Sequence, residues 1–123
     1  MHMSSPIQEK SYQFALRVVK MYQHLTVEKR EFVLSKQVLR SGTGIGANVR
    51  EANGAQSDRD FLAKLTISYK EALETEYWLM LLRDTDYLSG EAAESILRDC
   101  RELMRMLGSA KITLQNKLHN TTS

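Results

Sequence analysis

Arg40-Ser-Gly-Thr-Gly-Ile-Gly-Ala-Asn-Val-Arg-Glu-Ala52 sets three glycines inside a segment whose apolar residues keep helical spacing. Leu34, Val38, Ser41, Ile45, Val49 and Ala52 recur at intervals of four and three, the mark of one helix face. Each interior glycine costs ~1 kcal/mol against alanine, so roughly 3 kcal/mol must be offset, and a close-packed neighbour is the physical candidate. Gly42 and Gly46 lie one turn apart, on a face that a backbone or a bulky side chain can approach. The rival reading is a phosphate loop, because Gly42-Thr-Gly-Ile-Gly-Ala47 formally fits G-x-G-x-x-A. That fingerprint needs a strand before it and a βαβ unit around it. Here a helical pattern precedes it and no strand pattern follows. The segment therefore reads as a helix over 32–53, ended by Asn53-Gly54 with the glycine expected in the left-handed conformation.

Upstream, Ile7, Ser11, Phe14, Val18, Met21 and Leu25 make one face of a helix over 7–25. A second apolar line, Tyr12, Leu16 and Val19, runs beside it. Thr26 and Glu28 read as a stop and a new start, with Glu28 and Glu31 as an acidic first turn. Downstream, Ser57 followed by Asp60 has the spacing of a helix cap. The helix it opens, 58–84, carries Phe61, Leu65, Ser68, Ala72, Leu79 and Leu82 on one line. Leu62, Tyr69, Leu73, Tyr77 and Met80 form another. A turn at Asp84-Thr-Asp86 leads to Ser89-Gly90-Glu91 and a last helix over 90–118. Its stripe is Ile96, Cys100, Leu103, Leu107, Ala110 and Leu114, with a polar tail from His119 expected to fray. No strand pattern, repeat or low-complexity linker interrupts the series. Four amphipathic helices with short connections predict an all-α, antiparallel up-down-up-down four-helix bundle, one domain over 1–123.

The totals agree with that reading. A chain of 123 residues, 42% apolar and 26% charged, can bury one core. Its formal charge of +2 gives no overwhelming polyanion signal. The single cysteine, Cys100, has no partner within the chain, which fits a reducing compartment. No apolar run reaches membrane-span length, and the opening residues show no apolar signal core. The expectation is a cytoplasmic protein with no membrane partner.

Helices two and three should fold back about residue 56, so that facing residues have numbers summing to about 112, within a turn, from their equal rise. That places Arg40 beside Glu71, and Asn48 beside Lys64 and Ser68. It predicts a polar band with Arg40–Glu71 as its strongest member. Such a pair fixes register more than it adds stability. Gly42, Gly46 and Asn48 are the expected helix-packing positions.

These residues resemble the four-helix bundle family related to the 23S rRNA intervening-sequence protein. The likeness is carried by Ser35-Lys-Gln-Val-Leu-Arg-Ser-Gly-Thr-Gly-Ile-Gly-Ala-Asn-Val-Arg-Glu-Ala52, by Ala55-Gln-Ser57 and by Asp60-Phe-Leu-Ala-Lys64. It continues in Lys70-Glu-Ala and Glu74-Thr-Glu-Tyr-Trp-Leu79. Gly44 stands where that family often has serine, Arg50 where an acidic or apolar residue is common, and Leu73 where many relatives are polar. The resemblance implies a cytoplasmic bacterial protein that assembles with itself into a ring, a pentamer being the expected state. Similar bundles serve as accessory factors of diversity-generating retroelements, where they bind a reverse transcriptase and nucleic acid. The resemblance brings no catalytic residues to carry over. Independently, the two apolar lines on helices one and three exceed what a monomeric seam needs, and surplus apolar surface marks a partner interface; the bland alternative is a wide but monomeric core.

The chemistry-bearing residues are few. Glu71-x-x-Glu74 and Glu91-x-x-Glu94 invite a metal reading, but a di-iron bundle wants Glu-x-x-His on two helices, and no glutamate here is followed by histidine at that spacing. His24 and His119 suit helix ends, and Cys100 reads as a small core residue. No local motif pairs a serine or cysteine with a base. No cofactor is expected. The basic residues Arg17, Lys20, Arg40, Arg50, Arg59 and Lys64 could build a phosphate-binding patch, repeated around a symmetric ring. The bland reading of scattered cations is a solvated face. The resulting expectation is a non-enzymatic homo-oligomeric interaction module acting on structured RNA or a nucleoprotein. The alternative is a small metal- or ligand-binding enzyme that uses the bundle interior.

Overall fold

The computed structural model describes residues 5–122. The four opening residues, read above for a signal core, and Ser123 of the tail lie outside the described residues. The elements are α1 (Ser5–Val27), α2 (Leu34–Asn53), α3 (Asp58–Asp84) and α4 (Gly90–Thr122). Each helix packs on two neighbours, α1 on α2 and α4, α3 on α2 and α4, with the α1–α4 seam the thinnest. This is an antiparallel up-down-up-down bundle, all-α among the described residues. The inner lines read from spacing form the core: Ile7, Phe14, Val18, Met21 and Leu25 from α1 meet Val38, Ile45 and Val49 from α2. Three details of the stripes differ: on α2, Leu34 is only partly buried and the next residue, Ser35, is buried in its place. Thr75 is fully buried on the inner line of α3, and Ala110 is only partly buried on α4.

The helix ends have identifiable causes. Ser57 is extended (φ −155°, ψ 166°) and its hydroxyl accepts from the Asp60 amide at 3.1 Å. The Asp60 carboxylate accepts in turn from the Gln56 amide at 3.3 Å, which completes a reciprocal cap. At the start of α2 the cap comes from outside the helix. The buried Glu31 carboxylate accepts from the amides of Val33, Leu34 and Ser35 at 3.1, 3.0 and 2.6 Å. Glu31 is thus the cap of α2, not a member of its first turn, and Arg30 before it takes a left-handed φ of 56°. Two further expectations need correction. Gly54 follows α2 but sits at φ −96°, because its amide and that of Ala55 close the end through Glu51 and Ala52 carbonyls in right-handed geometry. The helix α4 runs on to Thr122, past the tail expected to fray at His119.

The glycine segment is helical throughout. A methyl at Gly42 would meet the Val18 side chain at 2.8 Å, and one at Gly46 would meet the Ser11 carbonyl oxygen at 3.2 Å. Both glycines therefore admit α1. Gly44 faces the other way, where a methyl would lie 3.3 Å from the Glu71 carboxyl group of α3. The segment wedges α2 between α1 and α3, and that is what offsets its poor helix propensity.

Candidate functional site

The α2–α3 seam carries a band of polar contacts. Ser68 Oγ donates to the Ile45 carbonyl at 2.8 Å, and Thr75 Oγ1 lies 2.8 Å from Ser41 Oγ; all four residues are buried. These pairs fall within a turn of the expected register. Arg40 lies 3.5 Å from Glu71, yet its short contact, 2.6 Å, is with Glu74. The order of the two partners is the reverse of the expectation. Glu71 turns inward over Gly44, into space that a β-carbon would fill, and burial pushes its carboxyl up despite Arg40. Asn48 does not reach across to Lys64 or Ser68 by hydrogen bond. Its amide donates to the Gly44 carbonyl of its own helix at 2.8 Å, while Lys64 sits 3.7 Å from Glu51.

The six expected phosphate-binding cations are not gathered together. Arg17 is spent on Asp99 at 2.5 Å and on Ser95 Oγ at 3.1 Å. Arg40 and Lys64 are held in the pairs just described. Lys20, Arg50 and Arg59 have no ion-pair partner among the described residues. Arg50 borders a groove between α1 and α2, and Arg59 borders an apolar one that includes Leu62 and Leu118. A line that the spacing also contained went unread: Arg98, Arg101 and Arg105 recur at intervals of three and four on α4. Arg101 Nε donates to Glu76 of α3 at 2.8 Å.

The outer apolar line of α1 is in water. Tyr12, Leu16 and Val19 are 63%, 41% and 39% exposed. Tyr12 stands over a shallow groove of about 220 Å³, floored by Ser11, Ala15, Gly46 and Ala47. Gly46 and Ala47 make that floor low, so the glycine segment shapes the outside of the bundle as well as its interior.

Three of the four glutamates proposed for metal chemistry are otherwise engaged: Glu71 and Glu74 by Arg40, Glu94 by Arg83 at 2.9 Å. Among the described residues no group of three His, Cys, Asp or Glu side chains could hold a metal ion. Cys100 is buried, and burial, with Glu76 nearby, pushes its thiol up to about 12. None of the described helices is long and apolar enough to cross a membrane.

The fold defines a helical-bundle protein, all-α among the described residues. The chain belongs to the 23S rRNA-intervening sequence protein family, which matches it over residues 4–109. A solved structure from Bacteroides thetaiotaomicron, a protein of unknown function from the S23 ribosomal protein family, is 53% identical. It superposes with a TM-score of 0.84, over 85% of this chain and 94% of that one. No curated protein matches the chain.

Proposed function

We propose that this chain is a non-enzymatic, cytoplasmic interaction module that assembles with itself, as a pentameric ring, and docks structured RNA or a nucleoprotein. The observation that carries the proposal is the exposed line Tyr12, Leu16 and Val19. Three large apolar side chains lie at four-three spacing on one face of one helix, and the groove over Gly46 and Ala47 beside Tyr12 can take a side chain from a second copy. Rotational assembly repeats each cation of the surface around the axis, which raises phosphate affinity with every contact added. The buried thiol of Cys100 suits a reducing compartment.

The test pairs sedimentation velocity at micromolar concentration with RNA binding measured from 50 to 200 mM salt. The proposal expects a multimer whose RNA affinity falls steeply with salt. A monomer removes the ring, and salt-independent binding removes the phosphate contacts. Stoichiometric metal in the purified protein would favour the enzyme alternative instead.

A further inference from the structure

The acids of α4 turn to both neighbours, and Glu94 holds Arg83 of α3 at 2.9 Å. Asp99 and Glu102 turn toward α1, where they hold Arg17 and Lys10, each at 2.5 Å. Arg98, Arg101 and Arg105 follow one another at intervals of three and four, and Arg101 and Arg105 reach the side toward α3. Arg101 and Arg105 border an open groove of about 560 Å³ with Tyr69, Met104, Gly108 and Ile112, and with the hydroxyls of Ser109 and Thr113. The acids near the line, Glu76, Glu94 and Glu102, are already bonded by Arg101, Arg83 and Lys10, whereas Arg98 and Arg105 have no ion-pair partner among the described residues. Lys111 adds a further cation at the rim, with its Nζ 4.7 Å from the Tyr69 ring centre. Gly108 matters here, since a β-carbon at that position would press on the Tyr69 ring at 3.4 Å. Along α3, Leu73 and Tyr77 follow Tyr69 at one and two turns, and both are exposed, as is Ile112 on α4.

Positive charge without free acid, set among exposed apolar and aromatic side chains, has a specific chemical match. Unpaired nucleotides offer a phosphate every few ångströms and a flat apolar base face between them. An acidic peptide would use the arginines but leave Tyr77 and Ile112 in water. We infer that the α3–α4 groove is the seat of single-stranded RNA, with Arg105 at the groove and Arg98 two turns along α4 on phosphates of one strand, and the exposed Tyr77 ring, edge-on to Trp78, under a base. The inference rests on the RNA-docking reading above and assigns it a surface other than the six cations first singled out.

The experiment is fluorescence anisotropy of the full chain with a labelled 12-nucleotide oligouridine across the same salt range. Arg98→Gln/Arg105→Gln should weaken binding and flatten the salt slope by about 1.4, at ~0.7 per single-strand phosphate lost. Tyr77→Ala should weaken binding by about fivefold or more and leave the slope alone. Lys20→Gln/Arg50→Gln lie beside the proposed self-association face, so sedimentation velocity first checks that the pair keeps the parent's mass, and it should then bind as the parent does. All five positions are exposed, and circular dichroism checks that the fold is kept. If the Lys20/Arg50 pair weakens binding and the groove variants do not, the groove is wrong while RNA docking stands. If the parent chain does not bind at all, both fall. Displacement of the RNA by polyglutamate at equal charge would overturn the groove as a base-reading seat and make it one for acidic protein.

Discussion

The hydroxyl of Ser68 on α3 donates to the backbone carbonyl of Ile45 on α2 at 2.8 Å, and both residues are buried. A side chain as short as serine reaches another helix's backbone only where the two helices come close. Ile45 sits between Gly44 and Gly46, and the absence of two β-carbons is what lets the neighbours in.

Alanine substitutions should therefore rank by what each methyl meets. Gly42→Ala drives a methyl into the β-branched Val18, an overpacking cost of ~1–3 kcal/mol set against ~1 kcal/mol of helix propensity regained. Gly46→Ala presses on the fixed Ser11 carbonyl and should also destabilise. Gly44→Ala meets only the Glu71 carboxyl, which can swing away, and should be neutral or stabilising by up to ~1 kcal/mol. Urea unfolding midpoints check the order.

Glu31 makes the α1–α2 turn pH-dependent. Burial works to raise its carboxyl, but the amides of Leu34, Ser35 and Val33 outweigh it and hold the group below the ordinary carboxylate range. A depressed folded value means that the stabilisation is complete above the unfolded carboxylate value, ~4.3, and is lost as pH falls through the folded one. Glu31→Ala should cost about 1 kcal/mol at pH 7 and nothing once the carboxyl is protonated in both states. Urea midpoints at pH 7 and pH 3 measure the difference.

Glu71 has the opposite sign. Burial raises its carboxyl, and the nearby Glu74 adds to the shift while Arg40 opposes it. The folded state thus holds its proton more tightly than the unfolded one, so this group weakens the fold above its folded value and is neutral below the unfolded value. Glu71→Gln should be as stable as the parent or more so at pH 7, with the gap closing toward pH 3. Thermal melts at the two pH values decide.

Much of the bundle was legible because two signals agreed: strict four-three spacing gave the inner faces, and Ser57 with Asp60 marked the start of α3. What escaped was set by contacts that spacing does not encode. Glu31 looked like an ordinary acidic first turn, since only the left-handed Arg30 turn brings its carboxylate back over three amides. Arg40 was matched to Glu71 by rise alone, but the hole at Gly44 draws Glu71 inward and leaves Glu74 to meet the guanidinium. Which of the six cations has an intramolecular partner is not encoded locally, since Arg17 and Asp99, 82 positions apart, pair only through the fold. The arginine line of α4 was readable from spacing, and the turn of Asp99 and Glu102 away from it emerges only with α1 in place.

Cys100 should be inert in the native bundle. With its thiol buried, pushed up to about 12 and directed at the Ala72 carbonyl at 3.4 Å, it should not react with a disulfide reagent at pH 8. One equivalent should react after urea unfolding, followed by absorbance. Fast native labelling would mean that the α3–α4 seam opens.

Self-association through the outer line of α1 is the claim on which the functional account turns, and light scattering of the parent chain beside Leu16→Glu tests it most directly. The account predicts a parent particle of several times the 14.1 kDa chain mass, five in a ring, and a smaller species for Leu16→Glu at unchanged helicity. A parent that scatters as a single chain at micromolar concentration, or a Leu16→Glu variant that keeps the parent's mass, would contradict it.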